Sequence, residues 1–213
     1  MIHPHTELRF INAAIGYGVV ATQFIPKGTI TWALDKLDRI YTPEQVQSMD
    51  GLYQEVLNKY TYRNAEGNYI LCWDNARFVN HSSNSNCITT AYEFEIAVRD
   101  IYPGEELTDD YGYLNLEEPF EVLPEEGCSR TTIYPDDLLR YHGLWDEKLA
   151  DAFRHITTLH QPLLPILETS LQEKIQRISR GDEAMLSILS CYCGPRNNGD
   201  AHRVAAEFSI KHS

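Results

Sequence analysis

Residues 77–86 read Arg-Phe-Val-Asn-His-Ser-Ser-Asn-Ser-Asn and are dense in side chains that donate and accept hydrogen bonds. Polar clusters of this kind are usually loops, and a single histidine in one is usually structural. Apolar, strand-like segments flank this cluster, and a loop in that position can also hold a polar ligand. Taken alone, the stretch therefore permits both a turn and a binding site.

Two further motifs lie on either side of this stretch. Residues 103–111 read Pro-Gly-Glu-Glu-Leu-Thr-Asp-Asp-Tyr, which alone indicates an acidic, solvated turn that ends in a buried tyrosine. Residues 16–18 read Gly-Tyr-Gly, and Ile-Pro-Lys-Gly follows at 25–28. Such glycines usually form a tight turn, although they also let the backbone approach a ligand. No third glycine opens a helix after a strand, so residues 16–18 are not a dinucleotide fingerprint.

In chain order, the three motifs resemble those of the SET-domain protein-lysine methyltransferases. That family has a Gly-x-Gly near its start, an Arg-Phe-Ile-Asn-His-Ser-Cys-x-Pro-Asn stretch and a Gly-Glu-Glu-Leu-Thr-x-Asp-Tyr stretch. The resemblance covers about residues 5–130. It implies a mixed α+β fold with a mostly β core, in which short strands form small sheets with a pseudoknot. We therefore predict a SET domain over 1–130, with an insert at about 31–70 and a degenerate post-SET segment at 116–130, and then a helical C-terminal extension at 131–213.

The resemblance also implies a reaction, a cofactor and site residues. It implies that S-adenosylmethionine donates a methyl group to a lysine amine of a protein, which leaves S-adenosylhomocysteine, and that Tyr111 is the catalytic tyrosine. The pseudoknot would place Asn80 beside Tyr111. The residues expected to bind the cofactor are Gly16, Tyr17, Gly18, Arg77, Phe78, Asn80, His81 and Tyr111. Those expected to line the substrate channel are Tyr69, Asp109 and Tyr113, with Tyr62 as a further candidate wall.

These residue types suit methyl transfer. Displacement at a sulfonium needs the nucleophile, methyl and sulfur in line, and positioning can be worth ~7–11 kcal/mol. The lysine must arrive neutral, and because its ordinary pKa is ~10.4, an aromatic and poorly solvated channel favours the required state. A tyrosine hydroxyl and carbonyl oxygens can hold the amine and contact the polarised methyl group.

The post-SET segment departs from the family pattern. Many relatives hold a zinc ion with four cysteines, one of which follows the Asn-His-Ser motif. The corresponding positions here are Ser83, Val122, Pro124 and Ser129. Because a tetrahedral zinc site needs four ligands, we predict no zinc and no other metal in the site. The helical C-terminus would then close the peptide channel.

Asp109 is a second departure. Many lysine methyltransferases have Phe or Tyr at this position, where it influences how many methyl groups are added. An acid that faced the channel would favour a charged amine or a guanidinium. The alternative, which we favour from the sequence, is that Asp109 points to solvent or caps a turn. The number of methyl groups added stays open.

The composition limits the partners and the location. The 213 residues include 31 acidic and 18 basic side chains, a net charge of -13. This charge argues against direct contact with nucleic acid, and it can attract a basic peptide substrate. No apolar run approaches the ~20 residues that cross a bilayer, and residues 1–10 do not resemble a signal peptide. The five scattered cysteines favour a reducing, intracellular compartment, cytoplasmic or nuclear according to the source, whereas the oligomeric state stays open.

Local patterns predict short strands to about residue 115 and helices after about residue 136. Thr42, Pro43 and Gln45 are typical of a helix start, and apolar side chains continue at helical spacing to Tyr60. Strands are expected at 29–32, 69–73, 87–90, 91–98 and 106–108. Further helical faces are expected at 149–159 and 164–178, the second ending at Gly181, followed by a short helix at 182–190 and a loop at 194–199.

Two other classes of function remain open. A degenerate SET module would bind a peptide or partner without turnover, and it would show no thermal shift with S-adenosylmethionine. A small-molecule enzyme on the same fold would methylate a metabolite and leave basic peptides unmodified.

Overall fold

Short strands in small sheets, followed by helices, form the part of the chain that the computed structural model describes, residues 1–125 and 127–194. This confirms the predicted mixed α+β class. The strands are β1 Thr6–Asn12, β2 Gly16–Ala21, β3 Ile30–Ala33, β4 Arg39–Tyr41, β5 Thr61–Arg63, β6 Tyr69–Leu71, β7 Asn80–His81, β8 Cys87–Thr89, β9 Phe94–Ala97, β10 Thr108–Asp109, β11 Phe120–Glu121 and β12 Thr132–Ile133. The helices are α1 Pro43–Gln47, α2 Gly51–Tyr60, α3 Asp137–Phe153 and α4 Thr169–Arg180.

The strands pair in small groups. Strands β1 and β2 form an antiparallel hairpin, as do β11 and β12, whereas β3-β9-β8 and β4-β6-β5 are antiparallel three-stranded sheets. Strands β7 and β10 pair in parallel, with Thr108 opposite Asn80 and Asp109 opposite His81. This last pair joins the two polar motifs. Strand β10 begins two residues after the start of the strand predicted at 106–108 and ends one residue after its end.

The β7–β10 junction is held by side-chain bonds that imitate a strand ladder. The Asn86 amide accepts a hydrogen bond from the Thr108 backbone N–H at 2.9 Å and donates one to the Glu106 carbonyl at 2.8 Å. The Ser82 N–H donates to the Asp109 carbonyl at 2.9 Å. Buried backbone groups need such partners, so Asn86 fixes the position of β10 beside the loop that follows β7.

The helical segment after Thr42 begins as its sequence predicts and then departs from the prediction. The Thr42 N–H donates to Gln45 Oε1 at 2.8 Å and the Thr42 hydroxyl accepts from the Gln45 N–H at 3.3 Å, which completes a capping box. The single helix predicted to reach Tyr60 is wrong, because α1 ends at Gln47 and α2 begins at Gly51. Glycine in a helix interior is unfavourable, and the break places Gly51 at a helix start instead.

The main core joins the β3-β9-β8 sheet to the C-terminal helices. Ile30, Ile96 and Phe94 from the sheet and Leu149 and Phe153 from α3 belong to one buried apolar cluster. The buried side chain of Gln161 also ties the two parts together, because it accepts from the Ile30 N–H at 2.8 Å and donates to the Gly28 carbonyl at 2.7 Å.

The C-terminal helices differ from their predicted bounds. Helix α3 ends at Phe153, and Ile156 lies in a separate 3₁₀ turn, so the face predicted at 149–159 is not one helix. The face predicted at 164–178 is not one helix either, because Leu164–Ile166 is a 3₁₀ turn and α4 begins at Thr169. Helix α4 is capped by Gly181, whose φ of 79° gives the left-handed cap that was predicted. The short helix predicted at 182–190 is wrong, because Ile188–Cys191 is a 3₁₀ turn capped by Ser187. Residues 195–199 of the predicted loop lie outside the described residues.

Across residues 1–125 and 127–194, the helices are too short or too polar for any of them to cross a membrane.

Candidate active site

Tyr111 lies where the two polar motifs meet. It begins a 3₁₀ turn, Tyr111–Tyr113, directly after β10. Its backbone N–H donates to His81 Nδ1 at 3.1 Å across 30 positions of sequence, and its hydroxyl donates to the Val79 carbonyl at 2.9 Å. The structure therefore brings Tyr111 against the residues on both sides of Asn80, as the motifs predicted.

A network of charged side chains beneath the protein surface holds the Tyr111 turn in place. The Asp110 carboxylate accepts from the Gly112 N–H at 2.9 Å and from Arg130 Nη1 at 2.5 Å. Arg130 Nη2 also donates to Asp137, at the start of α3, at 2.8 Å. Both carboxylates are almost fully buried, so Arg130 couples the turn to the helix that supports it.

The protonation states at the junction follow from burial and hydrogen bonding. His81 Nδ1 accepts the Tyr111 N–H and so carries no proton, and burial lowers the pKa of His81. Its Nε2 lies 3.3 Å from the Ser83 hydroxyl. Burial, followed by the charges of Asp109 and Glu106, raises the pKa of Tyr111. A neutral imidazole and a neutral phenol therefore lie side by side.

The Gly-Tyr-Gly motif supports Asn80 through its backbone. The Asn80 amide donates to the Tyr17 carbonyl at 3.0 Å and to Glu106 Oε1 at 2.6 Å. A Cβ on Gly18 would lie 2.2 Å from the same Glu106 oxygen and 2.8 Å from the Asn80 amide nitrogen, so a larger residue would displace one or both side chains. The Tyr17 side chain is exposed and packs on Phe10.

Sequence reasoning missed Glu106. Its place in the Gly-Glu-Glu-Leu motif was noted only as part of an acidic turn. The structure shows a carboxylate aimed at Asn80 rather than at solvent. The isolated bridge between Glu106 and Val20 brings the motif against β2. Because this pairing joins distant parts of the chain, no local sequence pattern indicated it.

A cleft of about 670 Å³ opens beside Tyr111. Tyr69 and Asp109, both predicted channel residues, line it, as do Tyr62 and Val79. Tyr113 is not among the residues that line this cleft, which corrects its prediction as a channel wall. It lies behind Asp109, fully buried, with its ring edge-on to Trp145 at 5.2 Å. Its hydroxyl lies 3.0 Å from both Asp109 Oδ1 and the Cys87 carbonyl.

The expectation that Asp109 points to solvent or caps a turn is wrong. Asp109 is only 4% exposed and faces the cleft. Its carboxyl group shares a hydrogen bond with that of Glu95 from β9, which sequence reasoning missed. Burial raises the pKa of Asp109 to about 7, and burial followed by the charge of Asp109 raises the pKa of Glu95. The cleft therefore ends in a pair of carboxyl groups that hold protons unusually tightly.

Arg77 and Phe78 lie in the 3₁₀ turn Asn75–Phe78, before β7. Arg77 lines the cleft and donates to the Trp73 carbonyl at 3.0 Å. Phe78 packs edge-on against Tyr60 of α2 at 5.6 Å. Their predicted role in cofactor binding stays a prediction, and their observed contacts position the wall of the cleft.

The segment after Tyr111 folds back over the junction. Phe120 is 43% exposed, and its ring lies 5.6 Å from that of Tyr111 and 6.4 Å from that of His81. Glu125 accepts from the Ser82 hydroxyl at 2.9 Å and from the Ser83 N–H at 3.2 Å. This carboxylate joins the segment after Tyr111 to the polar loop that follows β7. In the part of the chain that the structure describes, no group of three or more potential metal ligands is found.

The small sheets around a parallel β7–β10 junction, followed by helices, are consistent with a SET fold. The match to a family model agrees with this, because residues 16–112 match the SET domain. The chain therefore contains a SET domain over these residues, a family made up mostly of protein-lysine methyltransferases. Comparison with curated proteins gave no match.

Proposed function

We propose that the protein transfers a methyl group from S-adenosylmethionine to the side-chain amine of a lysine in a protein or peptide. The observation that carries this proposal is the Tyr111 hydroxyl, held on the Val79 carbonyl at 2.9 Å, at the side of the cleft. Two oxygens fixed in this way can receive both an amine and the hydrogens of a polarised methyl group.

The residues around the β7–β10 junction fit the cofactor. Phe120 offers an exposed aromatic ring beside His81, which suits an adenine base. Tyr17 and Glu106 offer a carbonyl and a carboxylate, which suit the ammonium of an amino acid, and Asn80 already holds both in position. When bound, S-adenosylmethionine supplies an electrophilic methyl group on a sulfonium.

The role of the chain's own residues is to align the substrate amine with the methyl group. The Tyr111 hydroxyl donates to Val79, so its own oxygen lone pairs are left to accept from a substrate amine. The His81 bond to the Tyr111 N–H and the Asp110 cap fix the backbone on which this hydroxyl is mounted. Such positioning is the main source of rate in a displacement without covalent intermediates, worth ~7–11 kcal/mol when fully realised.

The cleft and the overall charge suit a lysine in a basic segment. Tyr62, Tyr69 and Trp32 give the cleft aromatic walls, which can pack along the methylene chain of a lysine. The net charge of -13 attracts positively charged segments.

The test is transfer of labelled methyl from S-adenosylmethionine to basic lysine peptides, located by mass spectrometry. The matched control is the same peptides with every lysine replaced by arginine. We expect label on lysine side chains alone. Label on neither peptide set, with no thermal shift by the cofactor, would support the binding module instead, and label only on a metabolite extract would support a small-molecule enzyme.

A further inference from the structure

Two carboxyl groups face the cleft at the end where Tyr111 lies. Asp109 comes from β10 and Glu95 from β9, and both line the same cavity as Tyr111 and Val79. Asp109 is almost fully buried, and its Oδ1 lies 3.0 Å from the Tyr113 hydroxyl. Asp109 is buried and Glu95 is half-buried. Ionising two carboxyl groups in such a position is unfavourable unless they have partners or a task, because burial penalises their charge.

Trp32 adds an unpaired polar group beside the two carboxyl groups. It lies opposite Glu95 in the β3–β9 ladder, lines the same cleft and is 2% exposed. Its buried indole N–H finds no hydrogen-bond partner within residues 1–125 and 127–194. An unpaired buried donor is unfavourable, so the described residues leave the polar groups at this end of the cleft incompletely satisfied.

We propose that Glu95 and Asp109 together accept the proton that a substrate ammonium must lose before it can be methylated. This inference rests on the proposed function. The pair, holding one proton between its two carboxyl groups, has one negative charge and binds the ammonium. The N–H bond then breaks, an O–H bond forms on a carboxylate oxygen, and the electron pair of the N–H bond stays on nitrogen as the nucleophilic lone pair. After transfer, the doubly protonated pair returns one proton to water.

The protonation of the pair suits this task at neutral pH. The pKa of Asp109 is raised to about 7 by burial, whereas hydrogen bonds from Glu95 and Tyr113 lower it. The charge of Asp110 opposes its ionisation further. A base whose pKa lies near the working pH combines a useful charged fraction with useful proton affinity. The pKa of Glu95 is also raised, so at least one proton remains on the pair.

Other charged groups around the pair also shift the pKa of its carboxyl groups. Asp74 raises the pKa of Glu95, whereas the N-terminal ammonium lowers it. Burial, and after it the charge of the pair, raises the pKa of neighbouring groups, which stay protonated and neutral: Cys72, Cys87, Tyr62, Tyr111 and Tyr113. The cations that line the same cleft are Lys59, Arg63 and Arg77.

Calorimetric proton counting tests the inference without turnover. A lysine peptide is titrated into the protein saturated with S-adenosylhomocysteine, in buffers of different ionisation enthalpy. A peptide with norleucine in place of lysine is the matched ligand. We expect the lysine peptide to release about one proton at about pH 6 and almost none at about pH 8, because only the doubly protonated pair must lose a proton. Release that is equal for the norleucine peptide would overturn the inference.

Substitutions distinguish the role of the carboxyl pair from that of the other residues. In the double variant Glu95→Gln, Asp109→Asn, the proton release should vanish while S-adenosylhomocysteine still binds. For Asp109→Asn alone, kcat/KM at about pH 7 should fall by about 100-fold, and the remaining rate should rise about tenfold per pH unit toward the ordinary lysine pKa. Glu55→Gln removes one exposed acid outside the cleft and should leave both readouts unchanged.

The outcomes distinguish this inference from the proposed function. If methyl transfer occurs and the double variant keeps the pH profile and the proton release of the natural protein, the carboxyl pair is not the proton acceptor. If lysine-dependent proton release occurs but no methyl group is ever transferred, the proposed function fails while the pair still holds the ammonium.

Discussion

Replacing Arg130 with methionine tests the buried charge network beneath Tyr111. Arg130 is bonded to both Asp110 and Asp137, whose side chains are 1% and 2% exposed. Methionine keeps a similar volume but leaves two buried carboxylates without their cation. Breaking a buried ion pair in this way typically costs about 3–5 kcal/mol.

The structure places the expected loss toward the lower end of that range. Asp110 keeps the Gly112 N–H at 2.9 Å, and Asp137 keeps the Tyr134 N–H at 3.1 Å. These bonds still stabilise the charges after the guanidinium is gone. The ring of Tyr141, 4.8 Å from the guanidinium, also loses a cation–π contact of about 0.5–1 kcal/mol. We therefore expect a total loss of about 3 kcal/mol in the free energy of unfolding.

Urea unfolding followed by tryptophan fluorescence measures this loss. The matched control is Arg140→Met, because Arg140 forms an exposed i,i+4 pair with Asp136 at 2.6 Å and should cost less than about 1 kcal/mol. The triple variant Arg130→Met, Asp110→Asn, Asp137→Asn should recover part of the stability, since it removes the unpaired charges. Equal losses for Arg130→Met and Arg140→Met would refute the reasoning.

Three further predictions follow from individual contacts. Thr42→Ala removes the α1 capping hydroxyl and should cost about 1 kcal/mol in urea unfolding, so an unchanged midpoint would contradict the cap. Gly18→Ala should displace Glu106, because the new Cβ would lie 2.2 Å from its oxygen, and calorimetry should show weaker binding of S-adenosylhomocysteine; unchanged affinity would separate Glu106 from the cofactor site. Asp109 has a folded pKa raised from 3.8 to about 7, so it contributes stability at acid pH that is lost as the pH rises through that interval. Asp109→Asn should remove this decline in unfolding free energy, and an unaltered decline would place the titration elsewhere.

The junction at the centre of the site could be predicted from sequence only through the resemblance to a family. The motifs that contain Asn80, His81 and Tyr111 resemble those of the SET family, and the pseudoknot of that family implied that residues 30 positions apart would meet. The capping residues Thr42 and Gln45 were equally informative, since a capping box is a contact between neighbours in sequence. A contact between residues that are close in sequence can be predicted from the residue types alone.

The carboxyl pair could not be predicted, because its partners come from separate strands. Glu95 lies in the short strand β9, where alternation favours an outward polar residue between Phe94 and Ile96. Whether that face meets solvent or a cleft depends on the Tyr62 and Asp109 segments packed over it. For the same reason, sequence reasoning placed Asp109 in solvent and Tyr113 in the channel, whereas Asp109 ends β10 at the cleft and Tyr113 ends the following 3₁₀ turn in the core.

The C-terminal bounds failed for a different physical reason. The short helix expected over 182–190 does not form, because the Ser187 side chain accepts from the Leu189 N–H, and Asp146 of α3 accepts from the Ser187 hydroxyl and the Ile188 N–H. These bonds to α3 supply the partners that a helix would otherwise provide. Tertiary hydrogen bonds thus replaced a weak local preference.

Tyr111→Phe tests the central claim most directly, with methyl transfer and cofactor binding measured on the same samples. Removing the hydroxyl takes away the group held on Val79 and leaves the aromatic ring and the His81 bond in place. We expect S-adenosylhomocysteine to bind with unchanged affinity in calorimetry, while single-turnover transfer to a lysine peptide slows by about 100-fold or more. Transfer at the natural rate by the phenylalanine variant would contradict the assignment of this junction as the site of reaction.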